Sequence, residues 1–100
     1  MLPECRDTGT HVFHQYVVKV TSDFSLSREQ LMERLKEKGI GTAVHYPIPI
    51  HQQPVFKSIA QGMTCPVSDA LSKQVMSLPV HPLVTEDQLD YIGKAIREVE

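Results

Sequence analysis

Three prolines lie close together in the middle of the chain, in the segment HYPIPIHQQP at residues 45–54. Proline lacks a backbone N–H and fixes its own φ, so it interrupts helices and central strands. It also pushes the preceding residue toward extended backbone. Pro47 and Pro49 therefore predict an extended loop over residues 45–53. The third proline suits the first position of a helix, so a short helix is predicted over residues 54–60.

The part of the chain before this loop predicts a strand, a helix and a second strand. The run HVFHQYVVKV, residues 11–20, is rich in β-branched and aromatic residues, as strands are. In the helix that follows, Ser27 and Gln30 stand at the two positions of a capping box. Gly39 stands where a left-handed residue ends a helix. Residues 40–44 then suit a short strand.

The part after the loop predicts a helix beginning at Pro66, a brief strand in VMSLPV that Pro79 stops, and a last helix. Thr85 and Gln88 stand at the capping-box positions of that last helix. Apolar residues recur at helical spacing, so these side chains are predicted to face the core: Leu31, Leu35, Val67, Leu71, Val75, Leu89, Ile92, Ile96 and Val99.

The predicted element order is β-α-β, a proline-rich excursion, then β-α. Three strands with the two long helices on one face predict an α+β fold, a two-layer sandwich built on a small three-stranded sheet. Residues 1–10 carry turn formers without periodicity and predict a lead-in or linker. The domain itself is therefore predicted over residues 11–100.

Length and charge argue against several classes of protein. A chain of 100 residues has room for one domain. A net charge of −2, without a cluster of lysine or arginine, argues against nucleic-acid binding. The longest apolar runs are far too short for a membrane span. Cys5 and Cys65 cannot form a dense disulfide framework, so a cytoplasmic protein with free thiols is predicted.

The candidate functional residues lie in the proline-rich loop. His45 and Tyr46 begin a stretch that prolines stiffen; an imidazole can hydrogen-bond a phosphate, and a phenol can stack on a ring. The structural alternative is that Tyr46 packs on a neighbouring proline and His45 is a solvated strand end. The spacing of His45 and His51 matches no zinc pattern, so no metal site is predicted. No glycine-rich phosphate loop or reactive centre is recognised, so no catalytic residue is assigned.

Three stretches together resemble a known family: HVFHQYVVKV, then LMERLKEKGIGTAVHYPIPIHQQPVFK, then CPVSDALSKQVMSLPVHPLVTEDQLDYIGKAI. They are similar to the C-terminal domain of the DegT/DnrJ/StrS sugar aminotransferases, over about residues 10–97. This resemblance implies the C-terminal small domain of the aspartate-aminotransferase fold. It also implies a pyridoxal-phosphate enzyme that moves an amino group, usually from glutamate, onto a keto-sugar linked to a nucleotide.

The same resemblance implies roles for parts of the chain. His45 and Tyr46 fall on the family's His-Tyr-Pro segment, which borders the nucleotide-sugar site; His51 and Gln53 follow in the same block, so all four are expected to bind substrate. In the family, a large N-terminal domain supplies the Schiff-base lysine and the aspartate that pairs with the cofactor. This chain is therefore expected to be a detached domain that binds no pyridoxal 5'-phosphate alone and is inactive alone. The whole enzyme is expected to be a homodimer.

An alternative of another class stays open at this point. A free-standing binding or regulatory module could keep this domain fold and lack catalysis. An independent enzyme would need a reactive centre that the sequence does not show.

Overall fold

A two-stranded antiparallel sheet stands at the centre of the fold. The computed structural model describes residues 1–4 and 9–99, so Cys5 lies outside the described residues. Strand β1 spans Tyr16–Lys19 and strand β2 spans Val75–Leu78. Val18 of β1 is paired with Met76 of β2, which places both side chains on the same face of the sheet.

Strand β1 is shorter than the strand predicted over residues 11–20. Phe13 has a φ of +46°, in the left-handed region, which an extended strand cannot include. Regular pairing therefore begins only at Tyr16. Within the strand, side chains alternate: Val18 is buried, and Val17 lies on the opposite face.

Helix α1 spans Arg28–Glu37 and carries the predicted capping box. The Ser27 hydroxyl accepts from the Gln30 N–H at 3.2 Å, and the Gln30 side-chain oxygen accepts from the Ser27 N–H at 2.9 Å. Gly39 follows the helix with a φ of +76°, as predicted for a left-handed end residue. Both ends of α1 are therefore set by local sequence signals.

The other two helices also begin where the sequence predicts. Helix α2 spans Pro66–Gln74, with its proline at the first position. Helix α3 spans Glu86–Arg97, and Thr85 and Gln88 form its capping box. None of the described helices has the length and apolar character that a membrane span requires.

Within residues 1–4 and 9–99, the sheet has two strands and not the three that were predicted. Residues 40–44 contribute a single bridge: the Ala43 N–H donates to the Ser77 carbonyl at 3.2 Å, and the Ser77 N–H donates back at 2.7 Å. The chain leaves the left-handed Gly39 shortly before this bridge and reaches Pro47 shortly after it. Between those two points, the described residues form one such pair of backbone hydrogen bonds with β2. The α+β class is confirmed.

The core lies between one face of the sheet and helices α1 and α3. Its buried apolar residues come from both layers: Val18, Leu31, Leu35, Ile40, Met76 and Ala95. Residues of α3 and its C-terminal end pack against this core as partly buried side chains: Ile92, Ile96 and Val99. Burying each large aliphatic side chain in such a layer stabilises the fold by about 1.5 to 3 kcal/mol.

Three side chains predicted to face the core are exposed instead. Val67 is 70% exposed, Leu71 is 38% exposed and Leu89 is 53% exposed. Helix α2 lies at the face of the sheet opposite α1 and α3, and its buried residue is Ser72. Helical periodicity identifies the apolar stripe of α2, but burial also requires a facing layer, which the described residues do not provide.

Polar contacts join the C-terminal end of helix α1 to helix α3 and its C-terminal cap. The Lys38 ammonium lies 3.0 Å from a carboxylate oxygen of Glu98, and the Tyr91 hydroxyl donates to the Lys38 carbonyl at 3.0 Å. The hydrogen bond from Lys38 holds the pKa of the Glu98 carboxyl below its ordinary value of 4.5. A lowered pKa means that this contact stabilises the fold above that value and is lost as the pH falls through the lowered pKa.

Candidate functional site

The face of the sheet opposite α1 and α3 opens into a cavity of about 550 Å³. Val17 and Val75 of the sheet, Leu71 of α2 and the proline-rich loop line it. Most of the lining is apolar, with a few polar groups from the loop. Such a combination of shape and lining is typical of small-molecule sites.

The proline-rich segment is more tightly turned than the sequence predicts. Within the loop predicted to be extended, Ile50–Gln52 forms a 3₁₀ turn. The helix predicted over residues 54–60 is reduced to a 3₁₀ turn at Pro54–Phe56, followed by one wider turn that closes where the Ala60 N–H meets the Phe56 carbonyl at 2.8 Å. A segment this short forms too few hydrogen bonds to offset the unfavourable free energy of nucleating a longer helix.

His45 is fixed to the sheet at the beginning of the loop. Its Nδ1 atom lies 3.4 Å from the Ser77 hydroxyl of β2. Its ring stands edge-on to the Tyr46 ring, with centroids 5.4 Å apart, and the peptide bond between the two residues is cis. Tyr46 is 71% exposed, so its ring and hydroxyl are accessible from solvent.

His51 and Gln53 are held by polar contacts further along the loop. The His51 side chain is only 9% exposed, and its Nε2 atom lies 3.2 Å from Asp69 Oδ1 on helix α2. The Gln52 side chain donates to the same carboxylate oxygen. The Gln53 side chain donates to the Ile48 carbonyl at 3.5 Å, within the loop itself.

The cavity brings together all four residues predicted to bind substrate: His45, Tyr46, His51 and Gln53. No lysine, arginine or carboxylate is among the described residues that line it. Three aromatic rings with polar atoms, those of His45, Tyr46 and His51, lie beside an apolar surface. Such a site suits a ligand that combines ring faces with hydrogen-bonding oxygens. Within the described part of the chain, no cluster of three or more histidine, cysteine or acidic side chains is arranged to hold a metal. Cys65, a half-buried free thiol, also lines the cavity.

Two residues that contact the site were missed by the sequence analysis. Asp69 and Ser77 reach the loop from α2 and β2, far from it in the chain. Asp69 lies 18 positions beyond His51, so its contact with His51 comes from the fold and not from closeness in sequence. Its place in the first turn of a helix, where acidic residues are favoured, was the available signal.

Comparison with known proteins gives consistent matches along the chain. The model of the DegT/DnrJ/EryC1/StrS aminotransferase family matches residues 1–97. The pleiotropic regulatory protein of Geobacillus stearothermophilus is 39% identical, over 96% of this chain and 25% of its own length. The UDP-N-acetyl-3-dehydro-alpha-D-glucosamine 3-aminotransferase of Acidithiobacillus ferrooxidans is 38% identical, over 96% of this chain and 24% of its own length. The chain thus spans about a quarter of the length of these curated relatives.

A solved structure matches the fold. The structure of NtdA from Bacillus subtilis with bound cofactor PMP superposes with a TM-score of 0.76 and 29% sequence identity. The match covers 89% of this chain and 20% of the NtdA chain. The structure of a DegT DnrJ EryC1 StrS aminotransferase from Brucella abortus superposes with a TM-score of 0.82 and 27% identity, over 98% of this chain and 25% of that chain. The sequence and the fold comparisons therefore point to the same family.

Proposed function

Because the chain belongs to the DegT/DnrJ/EryC1/StrS aminotransferase family, we propose that it is the C-terminal small domain of an aminotransferase that uses a nucleotide-linked keto-sugar. In this proposal glutamate donates the amino group, and the enzyme is a cytoplasmic homodimer. The name of the Acidithiobacillus relative supports a UDP-linked 3-keto-sugar as one substrate of the family. The bound PMP of NtdA supports pyridoxal 5'-phosphate as the cofactor of the whole enzyme.

The residues of this chain do not fit the cofactor itself. Pyridoxal phosphate needs a lysine for its covalent linkage and an acidic partner for its pyridine nitrogen. Among the described residues, neither a lysine nor an acidic side chain lines the cavity. We therefore assign the cofactor to a larger partner domain, and the chain alone is proposed to be inactive.

The observation that carries the proposal is that the four residues expected to bind substrate line one cavity. With its Nδ1 atom facing Ser77, the His45 ring keeps its Nε2 edge available for a phosphate or sugar oxygen. The exposed Tyr46 ring offers a stacking face and a hydroxyl. Prolines hold this loop stiff, so little conformational entropy is lost when it contacts a ligand.

A chimera tests this proposal. The chain replaces the matching quarter of the Acidithiobacillus relative, and transamination of the UDP-linked 3-keto-sugar by glutamate is measured. His45→Ala and Tyr46→Phe should lower kcat/KM by about ten- to a hundredfold, the effect of losing a hydrogen bond to a charged group. Cofactor loading, followed by absorbance, should not change.

Tyr91→Phe is the matched control. Tyr91 is another exposed tyrosine, whose hydroxyl bonds the Lys38 carbonyl outside the cavity, so this variant should retain normal kinetics. Unchanged kinetics in both loop variants would refute the substrate role, and so would a loss that circular dichroism attributes entirely to unfolding.

A second candidate function is a binding or regulatory module without catalysis. The name of the Geobacillus relative, a pleiotropic regulatory protein, favours this candidate. The chimera separates the two: turnover by a folded, cofactor-loaded chimera supports the enzyme. A folded and loaded chimera without turnover supports the module.

A further inference from the structure

Two side chains of the proline-rich loop contact the same carboxylate oxygen of Asp69. Its Oδ1 atom lies 3.2 Å from the Nε2 atom of His51 and accepts from the Gln52 side chain. The hydrogen bond from Gln52 to this carboxylate is charge-assisted, and such bonds are stronger than neutral ones.

Helix α2 fixes the backbone of Asp69 and favours a negative charge at its position. Asp69 lies in the first turn of α2, where the helix dipole favours a negative charge. Its backbone N–H donates to the Cys65 carbonyl at 2.9 Å, and its own carbonyl accepts from the Ser72 hydroxyl at 3.0 Å. Because Ser72 is buried, this hydrogen bond connects the first turn of the helix to the protein interior.

The proline-rich loop is therefore attached at both ends. At its beginning, Ala43 pairs with the sheet, and His45 contacts the Ser77 hydroxyl. At its far end, His51 and Gln52 are attached to Asp69. Between the two attachments the chain is exposed, with Tyr46 71% exposed and Ile48 50% exposed. Without the second attachment, the exposed part of the loop would be anchored on one side.

We propose that Asp69 is a positioning residue: it holds His51 and Gln52 so that the loop presents His45 and Tyr46 to the substrate. This inference rests on the proposed function. Asp69 is not among the residues that line the cavity, so it acts through the loop and not by touching the ligand. Its removal lowers the fraction of molecules whose loop is ready to bind, which raises KM without changing the bound, reacting state.

The attachment itself is tested on the chain alone. Hydrogen exchange measured by NMR reports on the Gln52 and Gln53 amides, which donate to the Pro49 and Ile50 carbonyls in the turn. Asp69→Asn should speed their exchange by about tenfold, the effect of losing a charge-assisted hydrogen bond. Asp69→Glu keeps the carboxylate and should recover most of the protection. Asp87→Asn, which changes a first-turn acidic residue of α3, is the control and should have no effect.

The functional role is tested in the chimera described above. Asp69→Asn should raise KM for the nucleotide-sugar by about tenfold, since the competent fraction of the loop falls by that factor. The kcat value, the KM for glutamate and cofactor loading should stay unchanged, and Asp69→Glu should restore most of the affinity. A merely structural role would lower the unfolding midpoint without this selective rise in KM.

The outcomes distinguish this inference from the function on which it rests. If His45→Ala impairs the chimera but Asp69→Asn leaves KM unchanged, the positioning role is wrong and the substrate role stands. If Asp69→Asn leaves the amide exchange of the chain unchanged, the attachment does not hold the loop and the inference is overturned. If neither His45→Ala nor Asp69→Asn affects turnover by the chimera, the substrate role of the loop fails, and the positioning role fails with it.

Discussion

Gly39 shows how one residue ends helix α1 and directs the chain into the core. Its N–H donates to the Lys36 carbonyl at 2.9 Å, and the Ile40 N–H donates to the Leu35 carbonyl at 2.9 Å. These two hydrogen bonds form a Schellman motif, in which the first residue after the helix cap has left-handed backbone. Gly39 meets that requirement with a φ of +76°, and the next residue, Ile40, is buried.

Gly39→Ala should destabilise the fold by about 1 to 2 kcal/mol, because a Cβ atom disfavours left-handed backbone. The space around it is not the cause, since an added Cβ would meet nothing within 4 Å. Gly41→Ala is the matched control: its Cβ also meets nothing within 4 Å, and its φ is not positive. Urea unfolding measures both variants. Equal midpoints for the two would contradict this account of the helix end.

The candidate site was predictable at the residue level only in part. His45, Tyr46, His51 and Gln53 follow one another closely, so the resemblance of a short block was enough to group them. Asp69 and the Ser77 hydroxyl reach them only through the fold. Contacts between a loop and a distant helix depend on packing, which sequence spacing does not encode.

Arg28 connects three elements. It is the first residue of α1, and its guanidinium donates to the Ser72 carbonyl near the end of α2 and to the Val75 carbonyl of β2 at 3.4 Å. Its side chain is only 12% exposed and is also paired with Glu29 at 2.7 Å. This hydrogen bond lowers the pKa of Glu29, which keeps that carboxylate ionised. A cation at the C-terminal end of α2 satisfies carbonyls that the helix leaves free.

Arg28→Ala should lower the free energy of unfolding by about 1.5 to 3 kcal/mol, the effect of losing hydrogen bonds from a charged group to part-buried acceptors. Arg34→Ala is the control in the same helix. Arg34 is 62% exposed and is paired with Glu37 at 3.5 Å, so its loss should cost only about 0.2 to 1 kcal/mol. Chemical denaturation compares the two. A cost for Arg34→Ala as large as that for Arg28→Ala would show that Arg28 does not join α1 to α2.

The elements themselves were predictable to the extent that their signals are local. The capping boxes of α1 and α3 lie within four residues of sequence, and both form as predicted. The length of β1 and the missing third strand depend on pairing between distant segments, which the alternation of residues does not determine. The inward face predicted for α2 was wrong because Val67 and Leu71 have no facing layer in the described residues.

The whole molecule has one closed face and one open face. The core between the sheet and helices α1 and α3 buries Leu35 and Met76 almost completely. The opposite face holds the cavity and the exposed apolar side chains of α2. A chain that spans about a quarter of its relatives' length, with its candidate substrate residues on the open face, is consistent with a site completed by a partner domain.

The chain alone should not take up pyridoxal 5'-phosphate stoichiometrically. None of its lysines lines the cavity, and all except the half-buried Lys19 are exposed: Lys36, Lys38, Lys57, Lys73 and Lys94. An exposed lysine is a strongly hydrated ammonium, and a lysine becomes a good nucleophile mainly when burial favours its neutral form. Titration with the cofactor, followed by absorbance, should therefore give weak adducts spread over several lysines. The chimera, in which the relative supplies the larger domain, should give a saturable band with one equivalent bound. The opposite result is a saturable band in the chain alone that disappears when a single lysine is changed to arginine. It would place the cofactor site in this domain, and the assignment of the cofactor to a larger partner domain would be wrong.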